Sequence, residues 1–343
     1  MRNKINTHRD QLGDIKTLIE RRDRFWVTTH IHPDGDSIAS VLLFSAILQR
    51  YGKTHCIVID DAVPRKFDFL PGIASIRSFD GLKPAFEPDV IAVLDASTLQ
   101  RIGRVSGFMR PDSTVIHIDH HPESECLGDA RICDAEESST VELVYYLAAV
   151  CGLPITPDIA TLVYTGIVCD TGRFLFPNIT HRSLEICSDM VRKGADPGRI
   201  AERIYFRNSP ETLKALSSAL STLEFHFNGA VASIHLNHHS CGSPERPDTE
   251  GFIDHLLTVE GTEVEFFMLK LQPGLFKVSF RSKSYVDVNE VAKQFGGGGH
   301  MRASGCMIRG EEKEVKNRIL EVLGAHVHPS GAGEPPAARP RPE

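Results

Sequence analysis

No run of apolar residues in this 343-residue chain reaches bilayer-spanning length, and the stretch Met1–Asp23 is too charged for a signal peptide. The predicted location is therefore the cytoplasm, with no membrane partner. Cys-x-x-Cys pairs are also missing. The eight cysteines, at 56, 126, 133, 151, 169, 187, 241 and 306, fall mostly in apolar runs such as Cys56-Ile57-Val58-Ile59. They read as reduced thiols acting as small core hydrophobes, not as zinc ligands or disulfides. Positive charge is not in excess: the formal net charge is −7, which argues weakly against a protein that coats long duplexes. A nucleic-acid partner would have to be short, or be held by a local basic patch. No internal repeat is present, and the glycine run at 296–299 lacks the Lys-Ser/Thr of a Walker-type loop. What is present is an ordinary composition, 41% hydrophobic and 24% charged, in a length that favours two domains.

The first half alternates short apolar runs with helical periodicity. Strands are predicted at Phe25–Thr29, Cys56–Ile59, Val90–Leu94 and Val115–Ile118, and helices at Ser37–Tyr51, Ser139–Cys151, Pro157–Val168 and His181–Lys193. Such alternation predicts an α/β fold class with a mainly parallel sheet over residues 1–194. Residues 195–223 read as a helical connector. Strand runs at Val231–Leu236, Val264–Leu271, Phe276–Arg281 and Ala303–Ile308, with helices at Val288–Phe295 and Glu311–Leu323, predict a smaller α+β domain over 224–324. The tail, 325–343, is expected to be disordered.

Carboxylates and histidines gather where the predicted strands end or helices begin. His30-Ile31-His32-Pro33-Asp34-Gly35-Asp36 follows the first strand, Asp95 ends an apolar strand, Asp119-His120-His121 ends another, and Asp170-Thr171-Gly172 closes a helix. Asp34 and Asp36 are alternate residues, so each can face one of two neighbouring cations. Gly35 is expected to give the turn conformations that other residues resist. The plainer alternative, Asp36 as a helix cap, leaves His30 and Asp34 without a role. Asp170 at a helix C-terminus opposes the helix dipole, a cost that a bound cation would offset. In open α/β sheets the ligand crevice lies beyond the carboxyl ends of the strands, so the four clusters are expected to meet. Carboxylate and imidazole ligands without thiolate favour Mn²⁺ or Mg²⁺. Two such ions about 3.5–4 Å apart suit hydrolysis of a phosphate ester.

These clusters, in this order, resemble the motifs of the DHH phosphoesterase family. The resemblance implies that His30, Asp34 and Asp95 bind one Mn²⁺. It assigns Asp36, Asp95, His120 and Asp170 to the second ion, with Asp95 bridging. Asp119 would orient a neighbouring histidine, and His121 would face the substrate phosphate. His32 stands at a variable position and is read as a non-ligand. Ala39-Ser40 departs slightly from the family pattern.

In the C-terminal half, Arg281-Ser282-Lys283, Val286-Asp287-Val288-Asn289 and Gly296-Gly297-Gly298-Gly299-His300 are similar to the DHH-associated nucleotide-binding domain. Glycines alone would suit a helix C-cap and a loop. The resemblance points instead to a substrate grip made by Arg281, Ser282, Gly297, Gly298, Gly299 and His300. Arg101 is the better of two candidates, with Arg104, for a further phosphate contact; Arg173 is a weaker one. The layout looks like the oligoribonuclease (nanoRNase) and pAp-phosphatase branch. The implied partners are short RNA or small nucleotides held between two closing domains, and a homodimer is an open possibility. His235, His238 and His239 read as a solvent-exposed loop, Ser138-Ser139-Thr140 as a helix cap, and Thr171-Gly172 as turn-shaping residues. An inorganic pyrophosphatase, a cyclic-dinucleotide phosphodiesterase and a non-catalytic nucleotide sensor are the rival readings.

Overall fold

The computed structural model describes residues 2–80, 86–110, 112–122, 124–237, 249 and 251–327. His238, His239, Cys241, the side chain of His300 and residues 328–343 lie outside the described residues. The chain forms two compact units, 1–207 and 208–343. The segment expected to act as a connector is shared between them, one of its helices falling in each.

The first unit opens with helices α1 (Arg2–Thr7) and α2 (Arg9–Arg21), which sequence reasoning did not place. Strands β1 (Arg24–Thr28), β2 (Thr54–Ile59), β3 (Ile76–Ser78), β4 (Val90–Leu94), β5 (Thr114–Asp119) and β6 (Ala130–Cys133) follow. They make one six-stranded sheet in the order β3-β2-β1-β4-β5-β6, and every pairing is parallel. Helices α3 (Gly35–Arg50), α4 (Thr140–Val150), α5 (Pro157–Asp170), α6 (His181–Arg192) and α7 (Pro197–Tyr205) complete the unit. A strand with both faces covered must be apolar throughout, and β4, Val-Ile-Ala-Val-Leu, is buried at every position. The strand order reverses direction between β1 and β4. That switch point is where a crevice opens at the strand C-termini, and it is where His30, Asp95 and Asp119 emerge.

Two local expectations change. Gly35 is the first residue of α3 and is not among the residues with positive φ; His32 (φ 57°) is. A Cβ on Gly35 would stand 2.2 Å from the Cys169 Sγ, so glycine is required there by the close approach of α3 to α5. Cys126 and Cys133 form a disulfide across the β5–β6 connection, with Cα atoms 5.9 Å apart, which corrects the all-reduced reading for this pair. Both are only half-buried, unlike the core cysteines Cys151, Cys187 and Cys306. Their meeting depends on how the connection folds back, which no periodicity encodes.

The second unit contains α8 (Pro210–Leu220), β7 (Glu224–His226), β8 (Val231–Asn237), β9 (Val264–Gln272), β10 (Leu275–Ser282), α9 (Val288–Lys293), β11 (Gly298–His300), β12 (Ala303–Arg309) and α10 (Glu312–Gly324). Its sheet runs β11-β12-β10-β9-β8-β7, antiparallel except for the β8–β9 pair. The glycine run, expected as a loop, contributes a strand: Gly298–His300 pairs with Ala303–Gly305. A Cβ on Gly297 would lie 2.2 Å from the Gly305 carbonyl oxygen, so the hairpin itself demands glycine there. Among the described residues no helix is long and apolar enough to cross a membrane.

One buried acid makes a stability prediction. Burial and the neighbouring Glu137 carboxylate push the Glu142 carboxyl up to about 8, from an ordinary value of 4.5. The folded chain thus holds this proton more tightly than the unfolded chain does. Its stabilising contribution is complete below about pH 4.5 and is lost as pH rises through about 8. Glu142→Gln keeps the shape and the donor. In chelator it should melt with wild type at pH 5 and above it at pH 9, by at least about 3 °C. Equal melting at pH 9 would show that the fold does not raise the Glu142 carboxyl above its ordinary value.

Candidate metal centre

At the end of β1 the chain turns, and the His30 Nδ1 lies 2.7 Å from the Ile31 carbonyl oxygen. This leaves Nε2 facing acids, 3.5 Å from the Asp95 Oδ2 and 3.9 Å from the Asp34 Oδ2. Asp34 also caps α3: its Oδ1 accepts from the Ser37 amide while Ser37 returns a bond to the Asp34 amide. The cap of this helix is therefore Asp34, and Asp36 is released for another task. Fully buried, Asp36 accepts from the Thr140 and Val141 amides at 2.7 and 2.9 Å, at the N-terminus of α4, where the helix dipole favours a negative charge.

Asp95 follows β4 in a left-handed conformation (φ 55°), uncommon outside glycine, asparagine and aspartate. Its Oδ1 accepts from the Thr140 hydroxyl at 2.8 Å and lies 3.8 Å from the His120 Nε2 and 3.7 Å from the His121 Nδ1. After β5, the His120 Nδ1 is 3.2 Å from the Glu137 carbonyl oxygen, and its Nε2 is 3.4 Å from the Asp170 Oδ2. The His121 Nδ1 is 2.7 Å from the Asp119 Oδ1. Asn178 donates to the Asp170 Oδ2 and to the Ser138 carbonyl. The donor atoms thus fall into overlapping groups: His30, Asp34 and Asp95; Asp36, His120 and Asp170; and Asp95, His120 and His121, each within 4.8 Å.

The electrostatics ask for a cation. Hydrogen bonds to a charged group are worth roughly 1.5–3 kcal/mol each, and Asp36 has such bonds. Even so, burial and the charges of Asp95, Asp170 and Asp34 raise its carboxyl well above the ordinary carboxylate range. Asp170 is raised for the same reasons, burial first and then Asp34 and Asp95. Asp95 moves the other way: burial would raise it, but the His30 hydrogen bond and the charges of His121, His30 and His120 hold it low. Carboxylates so crowded and so poorly hydrated fit a site built for divalent cations, and the mixed oxygen–nitrogen donors fit Mn²⁺ or Mg²⁺.

The profile described as "DHH family, N-terminal domain" matches residues 24–167, and that of the "DHHA1 domain" matches 243–328. The chain is also 32% identical over 301 residues to the "Bifunctional oligoribonuclease and PAP phosphatase NrnA" of Thermus thermophilus, which covers 87% of this chain and 88% of that one. The chain belongs to the DHH phosphoesterase family. A protein of the same description from Bacillus subtilis is 26% identical over 316 residues, covering 90% of this chain and 96% of its own. An exopolyphosphatase-related protein from Bacteroides fragilis, 27% identical, superimposes with a TM-score of 0.85 over 92% of this chain and 96% of its own.

Other residues of this DHH phosphoesterase singled out from the sequence have partners within their own unit. His32 is exposed and pairs with Asp61 at 3.2 Å. The Arg101 carbonyl accepts from the Ile31 amide at 2.7 Å, and its guanidinium lies near enough to His30 to oppose protonation of that ring. Arg104 is engaged elsewhere, with Asp60 and Asp80. Arg173 lies over the Tyr205 ring at 4.2 Å. In the second unit, the Arg281 Nε is 3.3 Å from the Asp254 Oδ1. Ser282, expected to contact substrate, is buried and its hydroxyl donates to the Val286 carbonyl at 2.7 Å; its hydroxyl serves the fold. His235 pairs with Glu312 at 3.3 Å, inside the unit rather than in a free loop.

The most informative residues missed are Thr140 and Val141. Ser139 makes no side-chain cap bond, and the start of α4 instead presents its amides to Asp36 and the Thr140 hydroxyl to Asp95. The available signal was the run Ser138-Ser139-Thr140 before an apolar helix: three hydroxyls where one cap would suffice.

Proposed function

We propose that this enzyme hydrolyses short oligoribonucleotides and linear dinucleotides to mononucleotides, removes a phosphate from 3′-phosphoadenosine 5′-phosphate, and uses two Mn²⁺ ions to do so. The carrying observation is the position of Asp95, whose oxygens face His30 on one side and His120 and His121 on the other. The Thermus relative's printed activities supply the substrate class. On this reading His30, Asp34 and Asp95 would hold one ion, and Asp36, Asp95, His120 and Asp170 would hold the other. The chemistry such a pair supplies is Lewis-acidic: it draws charge from the phosphoryl group and makes water a better nucleophile at neutral pH.

The remaining steps belong to the chain's own residues. Asp119 holds the His121 ring through Nδ1, which orients Nε2 to donate to a phosphoryl oxygen as charge develops. Arg101, beside His30, adds a contact to a substrate phosphate. Arg281, the glycines Gly297–Gly299 and His300 hold the nucleotide in the second unit, with the planar guanidinium meeting two phosphate oxygens. Because Arg281 binds substrate and transition state alike, Arg281→Ala should raise KM at least about tenfold and leave kcat within about threefold. An equal fall in kcat and kcat/KM would place Arg281 at the reacting centre instead.

The deciding experiment is a substrate panel with Mn²⁺, with Mg²⁺ and with chelator: 5′-labelled RNAs of various lengths, linear dinucleotides, 3′-phosphoadenosine 5′-phosphate, pyrophosphate and cyclic di-AMP. Fast Mn²⁺-dependent loss of the shortest RNAs supports the proposal. Hydrolysis of cyclic di-AMP or pyrophosphate alone replaces the substrate class. Silence on all, with nucleotide binding retained, makes the chain a sensor.

A further inference from the structure

Outside the metal centre, the described residues contain one more cluster of metal-ligand type, His8, Asp134 and Glu137, with donor atoms within 4.8 Å. A cation already fills it. The Lys4 ammonium is 2.8 Å from the Asp134 Oδ2, 2.9 Å from the Glu137 Oε1 and 3.2 Å from the Glu136 Oε2, and the His8 Nε2 is 3.0 Å from the same Asp134 oxygen. Lys4 is only 7% exposed, which is unusual for a lysine unless it is paired. Burial would lower its pKa, yet hydrogen bonds to Asp134 and Glu137 outweigh that and raise it.

What this ammonium grips is the turn that supports the metal centre. The Asp134 amide bonds to the Asp119 carbonyl, and the Glu137 amide bonds to the Asp134 carbonyl. The Glu137 carbonyl oxygen accepts from the His120 ring, and the Tyr146 hydroxyl reaches the Glu137 carboxylate at 2.8 Å. Over the next residues, the Ser138 carbonyl accepts from Asn178, which also holds Asp170. Thr140 and Val141 then hold Asp95 and Asp36. Residues 137–141 therefore touch His120, Asp36 and Asp95 directly and Asp170 through Asn178. The lysine comes from α1, which lies before the matched family region at 24–167.

We infer that Lys4 is a positioning residue for the metal centre: through Glu137 it fixes the ring of His120 and the start of α4, and so sets the affinity for the cation held by Asp36, His120 and Asp170. The inference rests on the two-cation reading above. It assigns the N-terminal helix a role in metal binding without contact to metal or substrate.

The test uses the full chain and Mn²⁺ alone, titrated with free Mn²⁺ read by electron paramagnetic resonance, alongside melting curves in chelator. Wild type is expected to bind two ions. Lys4→Met should weaken one of them about tenfold or more, as loss of an outer support typically does. Lys4→Arg should recover most of that loss, and saturating Mn²⁺ should return the kcat of Lys4→Met to within about threefold of wild type. A Lys4→Met chain that melts earlier but binds both ions with wild-type affinity overturns the inference. Should that variant fail to fold, Tyr146→Phe removes another hydrogen bond from the Glu137 carboxylate. Several-fold weaker binding of one ion then supports the inference, and unchanged binding overturns it. Absence of Mn²⁺ binding by wild type would sink the two-cation reading itself, a result distinct from either outcome.

Discussion

Asp95→Asn should lower kcat by on the order of a thousandfold or more and reduce the Mn²⁺ stoichiometry below two. Asparagine has nearly the same volume and tolerates the left-handed backbone at this position (φ 55°), so the β4 turn should survive. What it lacks is the negative charge that faces His30 at 3.5 Å from one oxygen and His120 at 3.8 Å from the other. An amide can offer one carbonyl oxygen, not two equivalent anionic ones. No other acid among the described residues joins two of the candidate ligand groups. In chelator the variant should still fold but melt below wild type, because His30, His120 and His121 hold the Asp95 carboxyl low and so favour its charge in the fold. Loss of turnover in a variant that remains folded at the assay temperature would separate function from folding. Turnover within tenfold of wild type would refute the two-cation mechanism outright.

The clusters that the structure brings together were legible in the sequence because their chemistry ran against propensity. An aspartate closing a fully apolar strand, paired histidines before Pro122 and an aspartate at the C-terminus of a helix are each unfavourable locally. They stand out because something beyond local structure must retain them. Strand β4 and helices α4 to α6 were also legible, since long periodic runs carry their own signal. What stayed hidden was partnership across the chain. That the amides of Thr140 and Val141 would meet Asp36, more than a hundred residues earlier, follows from the packing of α3 against α4. The N-terminal helix was set aside as merely charged, because the burial of Lys4 against Glu137 exists only once β6 and α4 are in place. Ser282 and the glycine run were assigned to substrate by resemblance. Tertiary structure gives Ser282 a carbonyl to satisfy and gives Gly297 and Gly299 a neighbouring strand to approach.

His121 tests whether the acid–histidine pair beside the cations is a working unit. The Asp119 carboxyl is held low: burial raises it, but its hydrogen bond to His121 and the charge of that ring prevail. A carboxylate on Nδ1 accepts that nitrogen's proton and fixes the ring's orientation, and Nε2 donates to substrate when the ring carries both protons. His121→Ala should therefore lower kcat by roughly a hundred- to a thousandfold, the usual loss of a donor to developing phosphoryl charge, while both Mn²⁺ ions still bind. Asp119→Asn should cost about ten- to a hundredfold, through a misplaced ring rather than a missing one. Because Asp119 acts only through His121, the double variant should be no slower than His121→Ala alone, a strong departure from additivity expected of residues in contact. Additive losses would show Asp119 contributing independently. A fall in Mn²⁺ affinity in His121→Ala would instead make His121 a ligand beside Asp95 and His120, a grouping the distances also permit.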